Sequence, residues 1–137
     1  MSLIYAMDTN IIIKYLRGDL NVSQNFEDAV MRGYELVIPR VVDYEIRRGF
    51  NILYAPKKEA AYNLLTKQCL VIEIDTSLWE RAIQVYGNLY RKGFTVGEID
   101  IFISALCLEN DYILVTNNIA DFENIDELRI VDWTQIQ

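Results

Sequence analysis

Short apolar runs alternate with longer segments of helical periodicity along the whole chain. Each run has the length and the β-branched or aromatic content of a buried strand. A strand that is followed by a helix and then by another strand builds a parallel sheet with helices on its faces. The pattern therefore predicts a three-layer α/β/α fold with a mainly parallel central sheet. The five predicted strands are Leu3–Met7, Glu35–Pro39, Leu70–Ile74, Tyr112–Thr116 and Leu128–Trp133.

The segments between these runs carry start and stop signals of helices. Proline suits the first turn of a helix, and glycine often ends one, so both residue types mark the boundaries here. The chain has only 2 prolines and 6 glycines, and it shows no repeat or linker. We therefore predict one domain over residues 1–137. The predicted helices are Asn10–Gly18, Val22–Arg32, Pro39–Leu53, Pro56–Gln68, Asp75–Gly93 and a last one that follows Thr95.

Composition excludes several classes of function. The chain has no histidine and 2 cysteines, which argues against a zinc site and excludes catalysis by imidazole or by a Ser-His-Asp triad. We expect Cys69 and Cys107 to be buried thiols. No signal peptide and no apolar stretch of membrane-spanning length is present, so we expect a soluble, cytoplasmic protein. The net charge of −7 argues against broad, nonspecific nucleic-acid binding, although a local basic rim stays open.

The predicted architecture indicates where a ligand would bind. In open α/β sheets the binding crevice lies beyond the carboxyl ends of the strands. Asp8 directly follows the first strand, and Asn117 and Asn118 directly follow the fourth. Glu45 lies about a turn and a half into the helix after the second strand. These polar side chains are therefore candidates for one shared site.

Two acids near the N-terminal half of the chain have competing interpretations. Asp8 precedes a helix and could cap it, but Thr9 and Asn10 are equally able to cap, which leaves Asp8 free for a ligand. On the third predicted helix Glu45 lies near the apolar stripe, where a salt bridge is the alternative to a functional role. Asp43 lies on a different face of that helix. We expect Asp43 to be solvated.

The run TVGEIDIFISALCL, residues 95–108, places two acids at the start of an apolar helix. Thr95 and Glu98 form a T-x-x-E capping box, which accounts for Glu98. Asp100 then falls in the second turn, beyond the free amides, on a helix that is apolar on nearly all sides. A buried carboxylate must be paired, protonated or bound to a metal. A structural ion pair and a metal site both stay open for Asp100.

Four stretches together resemble the PIN-domain ribonucleases, and most closely the VapC-type toxins of VapBC toxin–antitoxin systems. They occur in the family's order along nearly the whole chain, and the third is the most specific. The four stretches are MDTNIII, VVDYEIRRG, GFTVGEIDIFISALCLENDYILVTNN and ADFENIDELRIVDW. The resemblance implies a PIN-like fold, a metal-dependent endoribonuclease and a toxin that works with a cognate antitoxin.

The resemblance also implies roles for individual residues. Asp8, Glu45 and Asp100 match the family's acidic triad, and Asp121 matches a fourth, less regular acid. Glu98 falls at a position that is acidic only in some members. Asn118 and Asp121 have an Asx turn as the alternative interpretation. Three further positions match polar residues around the site, namely Asn10, Thr116 and Asn118.

Clustered carboxylates without histidine or cysteine favour a hard cation, either Mg²⁺ or Mn²⁺. Such an ion can activate water and stabilise charge on a phosphate under attack, so we predict hydrolysis of RNA phosphodiester bonds. Four basic residues near the acids in sequence are candidates for contacts with RNA, although ordinary solvated charges are the alternative. They are Lys14, Arg17, Arg47 and Arg48. The resemblance adds a homodimer and an antitoxin that covers the acidic site.

Other families and functions fit less well. A haloacid-dehalogenase phosphatase needs a second aspartate where Asn10 stands, and a receiver domain needs a lysine after a late strand, where the chain has VTNN. No P-loop motif is present. Two alternatives stay open: an inactive PIN-like module that only binds a partner, and an RNA-processing nuclease outside a toxin–antitoxin pair.

Overall fold

The computed structural model describes residues 3–136 and confirms the predicted α/β architecture. Residues 1, 2 and 137 of the predicted domain lie outside this part. The five strands pair in the order β3-β2-β1-β4-β5, and every described pairing is parallel. The strands are β1 Ile4–Met7, β2 Glu35–Pro39, β3 Leu70–Ile72, β4 Ile113–Val115 and β5 Ile130–Val131.

The helices between the strands match the predicted segments, with one addition. A short helix, α7, follows β4 and was not predicted, because four residues are too few to show a helical period. Within residues 3–136 no helix combines the length and hydropathy that crossing a bilayer requires. The helices are α1 Thr9–Leu16, α2 Leu20–Met31, α3 Arg40–Ile52, α4 Pro56–Thr66, α5 Thr76–Arg91, α6 Glu98–Asn110 and α7 Ile119–Phe122.

The strand order creates a crevice between β1 and β4. Connections between parallel strands are right-handed, so the reversal of strand order at β1 sends helices to opposite faces of the sheet. The register pairs Met7 with Val115 and Ala6 with Val37, which brings the carboxyl ends of β1, β2 and β4 to one edge. Side chains that follow these strands therefore meet at that edge.

The central strands are buried on both faces, as expected of a parallel sheet that helices cover. Ala6, Ile38 and Leu114 are fully buried, and α6 adds Ile103 and Ala105 to the same core. This continuous packing fixes the backbone at the ends of β1 and β4. The polar residues that follow those ends are consequently held by a rigid scaffold.

The start of α6 differs from the prediction. The helix begins at Glu98, its N-cap is Gly97, and no side chain caps it. The predicted capping box is therefore wrong: Thr95 lies before the helix, and Glu98 is its first residue. Gly97 has φ −62° and ψ 153°, which is extended backbone, and its carbonyl accepts from the Ile101 amide at 3.0 Å. Asp100 therefore lies in the first turn rather than the second.

Asp43 was expected to be solvated, and this prediction is wrong. Its side chain is buried, 4% exposed, and its Oδ1 accepts from the Tyr62 hydroxyl at 2.7 Å. Its Oδ2 accepts from Arg40 at 2.8 Å and lies 3.5 Å from Arg47. Burial opposes ionisation, but the hydrogen bonds of Tyr62 and Arg40 outweigh it and hold the pKa of Asp43 below its usual value. Asp43 thus joins α3 to α4, next to the turn that carries Glu45.

Both cysteines are free thiols. Cys107 is buried, as predicted, whereas Cys69 is only partly buried. Burial raises the pKa of each thiol to about 12, so both stay protonated at neutral pH. Neither is therefore suited to act as a nucleophile or as a thiolate ligand.

Candidate metal centre at the carboxyl edge of the sheet

Asp8 is the most buried acid of the candidate site. It follows β1, is 4% exposed, and its amide donates to the Val115 carbonyl at 3.0 Å. Its Oδ1 accepts from the Thr9 amide at 2.7 Å, and its Oδ2 accepts from the Thr116 hydroxyl at 2.8 Å. Asp8 is itself the N-cap of α1, which is the capping role considered for it, and Thr9 and Asn10 are the first two residues of the helix. Each oxygen makes one hydrogen bond and keeps a lone pair for a further ligand.

Glu45 reaches the same edge from α3. Its Oε1 accepts from the Thr9 hydroxyl at 2.6 Å, a contact across 36 positions of sequence. Its Oε2 lies 3.9 Å from Arg48, one turn further along α3. The predicted convergence of Glu45 with Asp8 is present, and Thr9 joins the two. Sequence reasoning treated Thr9 only as a possible cap and missed this bridging role.

Asp100 enters the site from the first turn of α6 and is half-buried. Burial raises the pKa of its carboxyl to about 6, and the negative charges of Asp8, Asp121 and Glu45 add to the shift. Among residues 3–136 no side chain donates a hydrogen bond to this carboxylate or pairs with it. Ser104 donates only to the Asp100 backbone carbonyl, at 2.7 Å. The structural ion pair considered for Asp100 is therefore not formed.

The loop and short helix after β4 supply the remaining polar groups. Thr116 is fully buried, and its oxygen accepts from the Asn118 amide at 3.0 Å while its hydroxyl donates to Asp8. Asp121 lies in the first turn of α7 and is exposed. Its charge nevertheless contributes to raising the pKa of both Asp8 and Asp100. Asp121 therefore faces the acidic group from its solvent side.

Two of the candidate residues form no hydrogen bond with the acids among residues 3–136. Glu98 is exposed and borders a surface groove with Trp79 and Phe102, between α5 and α6. It is absent from the charges that shift Asp8 or Asp100. Asn10, the second residue of α1, is exposed. The helix start at Gly97 explains Glu98, because it turns the first residue of α6 away from the third.

The four basic candidates differ in what surrounds them. Arg47 pairs with Asp43, and Arg48 lies beside Glu45 with its guanidinium 5.1 Å from the centre of the Tyr44 ring. Arg17 is exposed and borders an apolar groove that begins at Glu45. Lys14 is half-buried in the last turn of α1. Arg17 and Arg48 are thus the cations best placed to contact an anionic ligand at the acids.

The acidic group has an excess of negative charge that the protein does not balance. Asp8, Glu45, Asp100 and Asp121 repel one another, and Arg48 at 3.9 Å from Glu45 is the one basic partner among residues 3–136. In that part of the chain no three cysteine, aspartate or glutamate side chains lie in an arrangement that could hold a metal ion, so the four acids are coupled by charge without forming a ready-made set of ligands. The nearby loop also holds Asn117 Oδ1, buried without a hydrogen-bond partner within the described residues. An all-oxygen group with uncompensated charge fits a hard divalent cation.

Comparisons with known proteins show the family and the fold of the chain. The sequence profile of the PIN domain matches residues 5–128. The chain is 36% identical over 131 residues to the tRNA(fMet)-specific endonuclease VapC of Salmonella typhimurium, covering 94% of this chain and 97% of that protein. It is 25% identical over 134 residues to ribonuclease VapC1 of Haemophilus influenzae, covering 97% and 100%.

The fold has close counterparts among solved structures. The crystal structure of DNA-bound VapBC from Salmonella typhimurium superposes with a TM-score of 0.86 at 26% identity, over 96% of this chain and 98% of that chain. The profile match spans most of the chain and includes the three acids Asp8, Glu45 and Asp100 as well as Asp121. This chain belongs to the PIN-domain family.

Proposed function

We propose that this chain is an endoribonuclease of the VapC type, that Mg²⁺ or Mn²⁺ supports its catalysis, and that it acts as the toxin of a toxin–antitoxin pair. The observation that carries the proposal is the electrostatic coupling of four carboxylates, one at the end of β1 and the others on α3, α6 and α7. Charge repulsion and burial raise the pKa of Asp100 to about 6, a condition that a bound cation relieves. The names of the relatives supply the substrate class, RNA.

In this proposal the chain's own residues hold and orient the site. Asp8, Glu45 and Asp100 would hold the cation, and Asp121 would add an oxygen from the solvent side. Thr116 fixes the Asp8 carboxylate through the hydroxyl contact of 2.8 Å. Mg²⁺ or Mn²⁺ held there would supply an activated water and would offset the negative charge of the phosphate. Arg17 and Arg48 flank the acids and are proposed to contact the phosphates on either side.

The direct test is cleavage of RNA by the purified chain with Mg²⁺ or Mn²⁺ and with EDTA. The relatives' names make an initiator tRNA and a total RNA preparation suitable substrates. We expect internal cleavage that requires neither a free 3′ end nor a free 5′ end of the RNA. We expect this cleavage to disappear with EDTA. A chain that binds RNA or protein but cuts no RNA with either ion would favour the inactive module instead.

A groove beside Glu45 offers a docking place for the antitoxin. It runs between α1, α3 and α4, and its floor is apolar, with Ile13, Ile46 and Phe50 among its lining residues. Arg17 and Lys58 border it. A peptide segment with an apolar face and acidic flanks would fit this groove and end at the acidic site. We propose that the antitoxin covers the site from here.

Gly49 gives a way to block this groove without touching the acids. A Cβ added at Gly49 meets no atom within 4 Å, and the residue lines the groove. Gly49→Leu is expected to fold, because leucine favours a helix interior by about 0.8 kcal/mol over glycine. We expect RNA cleavage within about twofold of the wild type, while the product of the neighbouring antitoxin gene binds roughly 10-fold or more weakly, as for a contact at the centre of an interface.

Asn51→Leu is the matched control for this prediction. Asn51 is exposed on the same helix and does not line the groove, so the same added side chain should leave binding unchanged. Calorimetric titration of each variant with the antitoxin gives the affinities. Equal affinities of wild type and Gly49→Leu would contradict the groove, and the absence of any neighbouring antitoxin would favour an RNA-processing nuclease.

The homodimer that the resemblance implies has a candidate surface on α5. Trp79, Ile83, Tyr86 and Tyr90 form one exposed stripe with the 4-3-4 spacing of a coiled-coil seam, each between 49% and 72% exposed. Glu80 lies at one end of the stripe and Arg91 near the other, so two antiparallel copies would pair opposite charges. Light scattering should give a dimer mass for the wild type and a monomer mass for Ile83→Asp. A wild-type monomer would contradict this surface.

A further inference from the structure

Thr9 connects two of the site acids that lie far apart in sequence. It is the first residue of α1, where its amide donates to Asp8 Oδ1 at 2.7 Å. Its hydroxyl donates to Glu45 Oε1 at 2.6 Å. The two contacts use different groups of the same residue. The backbone group serves Asp8, and the side chain serves Glu45 alone.

The hydroxyl contact decides which way the Glu45 carboxylate points. Glu45 lies on α3, and its other oxygen has Arg48 of the same helix 3.9 Å away. Arg48 draws the carboxylate along α3, whereas Thr9 draws it across to β1 and Asp8. The hydrogen bond from Thr9 is 2.6 Å long, whereas the half-exposed Arg48 lies 3.9 Å from the carboxylate, so the contact with Thr9 is the stronger of the two. Without the hydroxyl, Glu45 would be free to turn towards Arg48 and solvent.

We propose that Thr9 is a positioning residue that presets the Glu45 carboxylate for the cation. The inference rests on the proposed metal site and adds a residue to it that touches neither cation nor substrate. Substitution of a hydrogen-bonded neighbour of a metal ligand typically weakens metal binding by about 10- to 100-fold. The hydroxyl of Thr9 is the sole side-chain donor to Glu45 Oε1 among residues 3–136, so its removal has no substitute there.

Thr9→Val removes the hydroxyl and keeps both the shape of the side chain and the backbone amide that donates to Asp8. Thr9→Ser keeps the hydroxyl on a smaller side chain. Free Mn²⁺ measured by electron paramagnetic resonance during a titration gives the affinity without any RNA or turnover. We expect Thr9→Val to bind Mn²⁺ about 10-fold more weakly than the wild type, and Thr9→Ser to bind within about twofold. Saturating Mn²⁺ should restore most of the cleavage rate of Thr9→Val.

A double-mutant cycle with Glu45→Gln shows whether Thr9 acts through Glu45. If it does, Thr9→Val lowers Mn²⁺ affinity in the wild-type background and adds little to Glu45→Gln. Equal Mn²⁺ affinity of wild type and Thr9→Val overturns the inference, as do fully additive losses or a Thr9→Ser variant as weak as Thr9→Val. A wild-type chain that binds no Mn²⁺ overturns the proposed metal site itself, which is a distinguishable result.

Discussion

Replacement of Asp100 by asparagine should remove RNA cleavage while leaving a folded and more stable protein. Asparagine keeps the size of the side chain but cannot supply a negatively charged ligand. We therefore expect the cleavage rate to fall on the order of 100-fold or more, which equals or exceeds the effect of removing a hydrogen-bonded neighbour of a metal ligand. The free energy of unfolding of the metal-free protein should instead increase. Burial and three neighbouring acids disfavour the charged Asp100 at neutral pH, and asparagine removes that cost.

The gain in stability from Asp100→Asn follows from the raised pKa of the carboxyl. Raising the pKa of Asp100 from 3.8 to about 6 opposes the charged folded state at pH 7. Because the side chain is half-exposed, solvent screening reduces the effect, and we expect a gain of about 1 kcal/mol in the free energy of unfolding. A single-turnover cleavage assay and thermal unfolding with EDTA measure the two effects on one preparation.

Glu98→Gln is the matched comparison, because it changes an acid two positions away on the same helix. Glu98 borders the groove between α5 and α6 and does not shift Asp100, so cleavage should stay close to the wild-type rate. Equal losses from both substitutions would contradict the separation of Glu98 from the site. Unimpaired cleavage by Asp100→Asn would contradict the role of Asp100 as a ligand.

Lowering the pH from 7 to 5 should have opposite effects on the metal-free protein and on its activity. The pKa of Asp100 is raised, so the folded state binds a proton more readily than the unfolded chain, for which the value is 3.8. The cost of its charge is fully present above about pH 6 and is relieved as the pH falls towards 4. The pKa of Asp8 is raised as well, mainly by burial, and acts in the same direction. Metal-free protein should therefore gain stability.

Cleavage should fall over the same range, because protons compete with the cation for Asp100. For one such group, metal affinity decreases by about 10-fold per pH unit below pH 6. Asp43, Glu73 and Asp75 have pKa values below their ordinary values of 3.8, 4.5 and 3.8, so their contributions to stability are lost mainly below those values and do not obscure the effect between pH 7 and 5. Thermal unfolding with EDTA and cleavage at subsaturating Mg²⁺ follow the two trends. An Asp100→Asn protein with the same stability profile as the wild type would exclude Asp100 as the cause.

The order of strands and helices was predictable because local patterns carry it. Apolar runs of strand length, prolines at helix starts and glycines at helix ends gave the segments, and all five strands were found within two residues of each expected start. The parallel sheet then placed Asp8, Glu45, Asn117 and Asn118 near one edge before any contact was known, and the family resemblance added Asp100 to them. The electrostatic coupling of these acids in the structure agrees with that expectation, and their role as ligands stays a proposal.

The errors arose where two local signals competed or where a partner lay far away in sequence. Thr95 and Glu98 had the spacing of a capping box, but the backbone of Gly97 starts the helix and leaves the box unused. Asp43 had the helical position of a solvated residue, but Tyr62 and Arg40 satisfy its carboxylate in the interior. The first outcome was decided between two local signals, and the second depended on Tyr62, which lies 19 positions from Asp43 in sequence.

The sequence by itself determined the fold class, which follows from residue type and period, and these are local properties. It also predicted an all-oxygen site, and the resemblance to the PIN-domain family indicated the acids that would supply it. Only the tertiary structure decided that Thr9 bonds to Glu45, that Glu98 turns away from Asp100, and that no protein cation pairs with Asp100 among residues 3–136. Hydrogen bonds and charge repulsion act over a few ångströms in space, and folding, rather than spacing along the chain, sets those distances.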